Sequence, residues 1–430
     1  MKRRFWIIGL IALSLLILFG CSIEGWQYTW DYHGIGTEYD GDLSFTLLEP
    51  EENMAPRMDH ASVVFDGKIW VFGGYNPNVR GDKDPYLEDI WYSEDGSYWV
   101  NVTMDAPWKG RRGHEVIVYR DNSNEEALYL IGGYKVEQRD GISYGGAAND
   151  VWKSTDGIHW TEIKENSYKT KVTHPNLDPN DDVRGTDLYD PSDDTTWYPR
   201  LNHSVIVHNN KMYLIGGFAK EQMPYLNDGN RDQMRKYFAD IWSSTDGETW
   251  TQEEPMYVDS HYADVYGKYS AGRASFGSFI HNNEIYLVGG TSAFEFQENG
   301  EDFVVPSWEK VWKGAIGKWD AITNGDSEYI ERRSHEVVKY KDNYWILPGC
   351  NPAAIQWYHG KDSIWKVDGT TLAFTRDGSY RTGTPMYGIS NYTAEVFTPQ
   401  GGEEAIYILF GDGDGGVRNT VWKVTEKESE

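Results

Sequence analysis

The chain has 430 residues and carries 67 Asp and Glu against 40 Lys and Arg, a formal net charge of −27 at pH 7. That balance argues against nucleic acid as a partner and against lying flat on anionic lipid; its plain meaning is solubility. Two cysteines in this length exclude a disulfide framework. The length would suit two or three ordinary domains, so the chain has to be searched for repeats before domains are counted.

Residues 2–4 are Lys-Arg-Arg, an apolar run extends from Phe5 to Phe19, and Gly20-Cys21 follows. A basic start, an apolar middle and a small residue before a cut describe a secretory signal, and the run is short for a membrane span. An uncleaved anchor helix is the alternative. The order Leu18-Phe19-Gly20-Cys21 resembles the lipobox of bacterial lipoproteins. The resemblance implies a signal peptide over 1–20, lipidation of Cys21, and a place in the cell envelope, at the outer membrane or cell surface. Contact with the membrane would then run through the lipid alone. Residues 21–42 are rich in Gly, Tyr and Asp without periodicity and read as a tether. Leu43 to Leu47 is strand-like.

From there the chain repeats itself. Arg57 to Trp99 reads RMDHASVVFDGKIWVFGG, an insertion, then DIWYSEDGSYW. Arg111 to Trp160 gives RRGHEVIVY, LYLIGG and DVWKSTDGIHW. Arg200 to Trp250 gives RLNHSVIVHNN, KMYLIGG and DIWSSTDGETW. Arg273 to Trp319 and Arg332 to Phe374 follow the same order, the fifth copy with Pro348-Gly349 in place of the diglycine. The sixth is decayed: NYTAEVF, AIYILFGD with Gly411-Asp412, and TVWKV, with no fourth strand before the chain ends. Each copy reads as four short strands rich in β-branched and aromatic residues, bounded by Asn, Asp or Gly. One such meander cannot bury its own faces and needs its copies.

Arg-x-x-His, a strand into Gly-Gly and a Trp-bearing third strand resemble the kelch repeat, over nearly all the chain after residue 40. Six copies imply an all-β fold, a six-bladed kelch-type β-propeller over 43–424, with 425–430 as a tail. The strand at Leu43–Leu47 is expected to supply the outer strand that the last copy lacks, closing the ring and removing an open edge.

Parity places the site. Loops from first to second and third to fourth strand lie on one face and are tight, as at Asp66-Gly67, Asn209-Asn210 and Asn282-Asn283. The other face receives the long insertions, among them Tyr75 to Glu88, Tyr134 to Asn149, Phe218 to Ala239, Thr291 to Glu309 and Cys350 to Asp362. Long loops gathered on one side of a rigid scaffold suit binding. The opening arginines Arg57, Arg111, Arg200, Arg273 and Arg332 are expected to ring the channel mouth there and to suit a carboxylate or polyoxygenated ligand, unless they pair with neighbouring blades. His60, His114, His203 and His335 read as packing positions. Tyr75, Tyr134, Trp308 and Trp357 stand out among the aromatics of the insertions as ligand-binding candidates, fit for sugar C–H faces or a protein surface.

Ser154 to Trp160 and Ser243 to Trp250 resemble the Asp-box of sialidases and other propellers, which implies a fold element away from the site. The acidic insertion 178–194 lacks regular calcium-ligand spacing. Kelch-like propellers include the copper enzyme galactose oxidase, whose Tyr–Cys crosslink would have only Cys350 to draw on; its copper-ligand motifs find no match. No Ser-His-Asp set, phosphate loop or zinc spacing is visible, and neither cofactor nor metal is expected. The reading favours a monomeric, membrane-anchored recognition module for a glycan or protein ligand on the long-loop face. The alternative is a carbohydrate-active enzyme for sialic acid or a related acidic sugar, mutarotase- or sialidase-like.

Overall fold

A computed structural model describes residues 39–48, 54–79, 85–139, 142–167, 196–221, 234–256, 272–291, 295–298, 301–304, 311–315, 318–322, 332–350, 360–361, 363–379, 388–413 and 416–427. Its main elements are six antiparallel sheets, five of them ordered by sequence from an innermost to an outermost strand. Blade 1 comprises Ala61–Phe65, Lys68–Tyr75, Tyr86–Ser93 and Trp99–Thr103. Blade 2 comprises Glu115–Arg120, Glu126–Arg139, Ile142–Ser154 and Thr161–Lys164. Blade 3 comprises Ser204–His208, Lys211–Ile215, Ile241–Ser244 and Thr251–Glu253. Blade 4 comprises Gly277–His281, Glu284–Val288, Val311–Ala315 and Lys318–Ile322. Blade 5 comprises Val337–Tyr340, Asn343–Ile346, Ser363–Asp368 and Phe374–Ser379.

Blade 6 has Thr393–Phe397, Ala405–Leu409 and Val421–Glu426, and Leu43–Leu48 is its outer strand. The pairing is antiparallel, with Leu43 opposite Glu426 and Leu48 opposite Val421. The N-terminal strand therefore clasps the ring as expected. Leu43 is fully buried, and Phe45 and Leu47 pack against the same cluster. Tyr39 adds a hydrogen bond from its hydroxyl to Asp377 of blade 5 at 2.6 Å.

The local chemistry explains the strands. Asn209 and Asn210 both have positive φ, at 46° and 57°, as do Asn282 and Asn283, which gives the type I′ geometry that matches strand twist. Second strands such as Lys211–Ile215 are buried on both faces after their first residue and read as unbroken apolar runs. In the third-to-fourth turns Asp95, Asp156 and Asp246 each accept two backbone N–H groups, as from Ile158 and His159 at 2.8 Å. These carboxylates hold the turns.

The core is distributed among the blades. Each of the six buried clusters sits at one blade–blade junction. Tyr129, Ile131 and Val151 of blade 2, for example, meet Leu214, Trp242 and Trp250 of blade 3. Another joins blade 6 to blade 1 through Tyr407, Leu409, Val71 and Trp91.

Two details differ from the sequence reading. The insertion from Tyr134 to Asn149 is largely ladder: pairing continues from Gly133–Ala148 to Arg139–Ile142. In blade 6 the diglycine is replaced by Phe410-Gly411, with φ of 56° and 99° against 53° and 113° at Gly73-Gly74. Gly411 N–H donates to the Arg57 carbonyl, as Gly217 N–H does to Arg273, so Gly411 is the second glycine of the pair. The second position tolerates no side chain: a Cβ on Gly217 would lie 2.8 Å from the His203 Cβ.

Candidate ligand site at the channel mouth

The opening arginines do not line the channel. Arg57, Arg111, Arg200 and Arg332 are fully buried and Arg273 nearly so. Arg57 forms a bidentate pair with Asp89 at 2.8 Å, Arg111 with Asp150 at 3.0 Å, and Arg200 with Asp240 at 2.6 and 2.7 Å. Each also donates to the carbonyl of the first glycine of its own blade, at 2.7 to 2.9 Å. The third-strand Trp donates its indole N–H to the same carboxylate, Trp91 to Asp89 and Trp242 to Asp240 at 2.7 Å. In blade 5 a serine replaces the aspartate: Arg332 donates to the Ser363 hydroxyl and carbonyl at 3.0 and 2.8 Å. In blade 4 burial pulls the Arg273 guanidinium down to about 9. The repeat's arginine, aspartate and tryptophan thus brace the first, second and third strands of one blade.

The backbone turns at the second residue after each arginine position. Asp59, Gly113, Asn202, Ser275, Ser334 and Asn391 all have φ between 52° and 60°. Glycine, asparagine and aspartate tolerate the left-handed region, and Ser275 and Ser334 adopt it as well. The N–H of each donates to the carbonyl of the next in a closed circle: Gly113 to Asp59, Asn202 to Gly113, Ser275 to Asn202, Ser334 to Ser275, Asn391 to Ser334 and Asp59 to Asn391, at 2.8 to 3.1 Å. This ring is the throat of the channel. It pairs all six blades directly and fills its own donors.

Below the throat lies a cavity of about 250 Å³. Glu115, Glu336 and Glu395 face it, partly accessible to the channel yet enclosed by protein. Burial, with the Glu395 charge adding to it, pushes Glu115 up to about 8. Burial with Glu115 and Glu395 pushes Glu336 well above the usual range. Glu395 rises to about 7 through burial, against a 2.7 Å hydrogen bond from the Ser62 hydroxyl. No lysine or arginine lines the cavity among the described residues. His60, His114, His203 and His335 are buried beside it, their protonation disfavoured by burial and by the brace arginines, His203 down to about 3. They are neutral packing groups.

Above the throat, on the long-loop face, the residue after the brace arginine takes over. Arg112 is about three-quarters buried, with its guanidinium 4.6 Å from the Tyr75 ring centre, 5.9 Å from Tyr86 and 6.0 Å from Tyr134. Tyr86 stacks on Tyr134 at 5.5 Å. Arg112 is 3.5 Å from the Asp59 carboxylate, and among the described residues its Nε has no hydrogen-bond partner. Arg333 lies on the same rim, its charge felt by Asp59 and by Cys350. Burial raises the Asp59 carboxyl; Arg112 opposes the shift, Asp412 adds to it and Arg333 opposes it. The mouth therefore gathers two cations, two carboxylates and three phenol rings.

Of the aromatic candidates, Tyr75 and Tyr134 meet around Arg112. Trp308, Trp357 and the lipidation candidate Cys21 lie outside the described residues. Arg112, Arg333 and Asp59 were not singled out from sequence. Their signal is the doubled Arg-Arg at 111–112 and 332–333 and an acid in a left-handed position.

The fold and the throat define a six-bladed β-propeller with a charged, aromatic mouth. The Kelch motif family model matches residues 56–104. It is similar to N-acetylneuraminate epimerase of Escherichia coli K12 and of Shigella flexneri, each 26% identical over 170 residues. That match covers 38% of this chain and 43% of the relatives, so the chain spans less than half the length of the curated relatives it matches. The solved structure of YjhT superposes with a TM-score of 0.55 at 12% identity, over 89% of this chain and 99% of that one, which shows the shared fold.

Proposed function

We propose that this kelch propeller is an envelope-anchored recognition module that binds an acidic carbohydrate at the long-loop mouth, with Arg112 and Arg333 receiving the carboxylate. The observation that carries the reading is Arg112: a guanidinium 4.6 Å from the Tyr75 ring centre, 3.5 Å from the Asp59 carboxylate through one terminal nitrogen, and with its Nε unpartnered among the described residues. A planar fork of that kind matches a carboxylate in two-point contact, and the flanking rings offer faces to sugar C–H groups. The relatives are named for a carboxylated sugar, which supports the choice of ligand class. Anchoring rests on the Lys-Arg-Arg, apolar, Gly-Cys order at residues 2–21. A binding panel tests the reading. The full chain should bind N-acetylneuraminate and glucuronate, Arg112→Gln should weaken both, and acidic-sugar binding that Arg112→Gln leaves unchanged would overturn it.

A second reading is carried by Asp59. A carboxyl raised by burial and set 3.5 Å from Arg112 is suited to move a proton on a sugar held there. In that case the protein would interconvert forms of the acidic sugar. Proton NMR of anomer exchange, compared between the wild type and Asp59→Asn, separates an enzyme from a binder. Asparagine keeps the left-handed tolerance and removes the acid.

A further inference from the structure

On the tight-turn face, away from the mouth, the hairpin turns of blades 4 and 5 border a second, open pocket of about 700 Å³. Its wall contains His281, Asn282, Lys339, Asp342, Asn343 and Tyr344, and Lys366, which lies 3.7 Å from Glu426, stands beside them. His281 is 8% exposed. Its Nδ1 lies 3.4 Å from the Tyr344 hydroxyl, which itself donates to the Ile280 carbonyl at 2.7 Å. The other ring nitrogen, Nε2, is buried without a partner among the described residues. A buried polar atom left so is costly, and a group that completes it is stabilising. Lys339 sits 5.8 Å from the Tyr344 ring, and neither it nor Asp342 has an ion-pair partner among the described residues. Asp368, also in the wall, is already saturated by Thr370 N–H, Thr371 N–H and the Thr371 hydroxyl.

The wall therefore mixes donors with acceptors. Lysine only donates, an ionised aspartate only accepts, and asparagine and neutral histidine do both. A simple oxyanion needs donors alone, and beside Lys339 and Lys366 it would meet the carboxylates of Asp342 and Asp368. An apolar ligand would give Lys339, Asp342 and His281 Nε2 no partner. Vicinal hydroxyls donate and accept at adjacent atoms, and they match. We propose that this pocket is a second binding site, for a neutral polyhydroxylated ligand such as a sugar residue, independent of the mouth.

Saturation-transfer NMR and calorimetric titration of the full chain with galactose, glucose, N-acetylglucosamine and mannose test it, with inorganic phosphate as competitor. At least one of these sugars should bind saturably and undergo no displacement by phosphate. Asp342→Ala, an exposed position safe for folding, should weaken it at least ten-fold, and His281→Gln should weaken it less. Arg112→Gln should leave it unchanged, which separates this site from the mouth. Displacement by phosphate would identify an anion site instead. Binding insensitive to Asp342→Ala, or no saturable binding of any of the four sugars, would overturn the proposal.

Discussion

Replacing Asp150 with alanine removes the acceptor shared by two buried cations. Arg111 meets this carboxylate through both terminal nitrogens at 3.0 Å, Lys135 at 3.2 Å and the Trp152 indole at 3.1 Å. The Arg111 and Asp150 side chains are fully buried, and Lys135 is nearly so. Deleting one partner of a buried pair typically costs about 3–5 kcal/mol, because the other charge stays behind. With two cations left, Asp150→Ala should fall at the upper end of that range. Asp150→Asn should cost less, since one oxygen and the volume remain. Urea unfolding followed by tryptophan fluorescence measures the difference. The pH dependence gives a second check. Burial disfavours the charged form, but Arg111 and Lys135 outweigh it and hold the carboxyl well below the usual range. A depressed value contributes stability above the unfolded pKa and loses it as pH falls through the folded one. The gap between wild type and Asp150→Ala should therefore be constant from pH 8 to 5 and shrink on further acidification. A change below about 0.5 kcal/mol, the ordinary scatter of surface substitutions, would refute the brace.

The channel glutamates have the opposite sign. Their raised values mean stability present below the unfolded carboxyl pKa and lost as pH rises toward the 7 to 8 of Glu395 and Glu115. Glu395→Gln should therefore melt higher than the wild type at pH 8.5, by on the order of 3 kcal/mol, and about equally at pH 4.5. An equal gap at both pH values would contradict the buried-charge account. Deleting residues 22–48 should strongly destabilise the ring, since it removes the six pairs from Leu43–Glu426 to Leu48–Val421, whereas deleting 22–38 should leave the melting unchanged. Labelled fatty acid should enter the wild type and not Cys21→Ala, and equal labelling would end the anchor reading.

The ring was legible because the repeat carries its own constraints. The diglycine marks two left-handed residues, and the Trp two places after Asp89, Asp150 and Asp240 marks the third strand. The missing outer strand and its substitute at Leu43 were legible from the decayed last copy. The arginines were legible as residues but not as directions. A strand that starts at the mouth suggests a side chain at the mouth. The left-handed turn at Asp59 and its equivalents instead folds each arginine back into its own blade. The carboxylate waiting there stands 32 residues away in blade 1 and 40 in blade 3, across an insertion of variable length. The mouth cations come one residue later, where Met58, Leu201 and Ala274 in other copies show no polar pattern. Glu115 and Glu336 break the apolar character of innermost strands, a sign that these positions face a channel rather than a core.

Titration of N-acetylneuraminate into the wild type and Arg112→Gln, with melting followed in parallel, tests the mouth site most directly. Loss of one charge-assisted contact costs about 1.5–3 kcal/mol, roughly 10- to 150-fold in affinity. The account predicts saturable wild-type binding that weakens by that factor while the melting temperature holds, because Arg112 is partly exposed at the mouth and makes only a 3.5 Å ion pair with Asp59. Undiminished binding in Arg112→Gln, or a wild type that ignores acidic sugars, would contradict it.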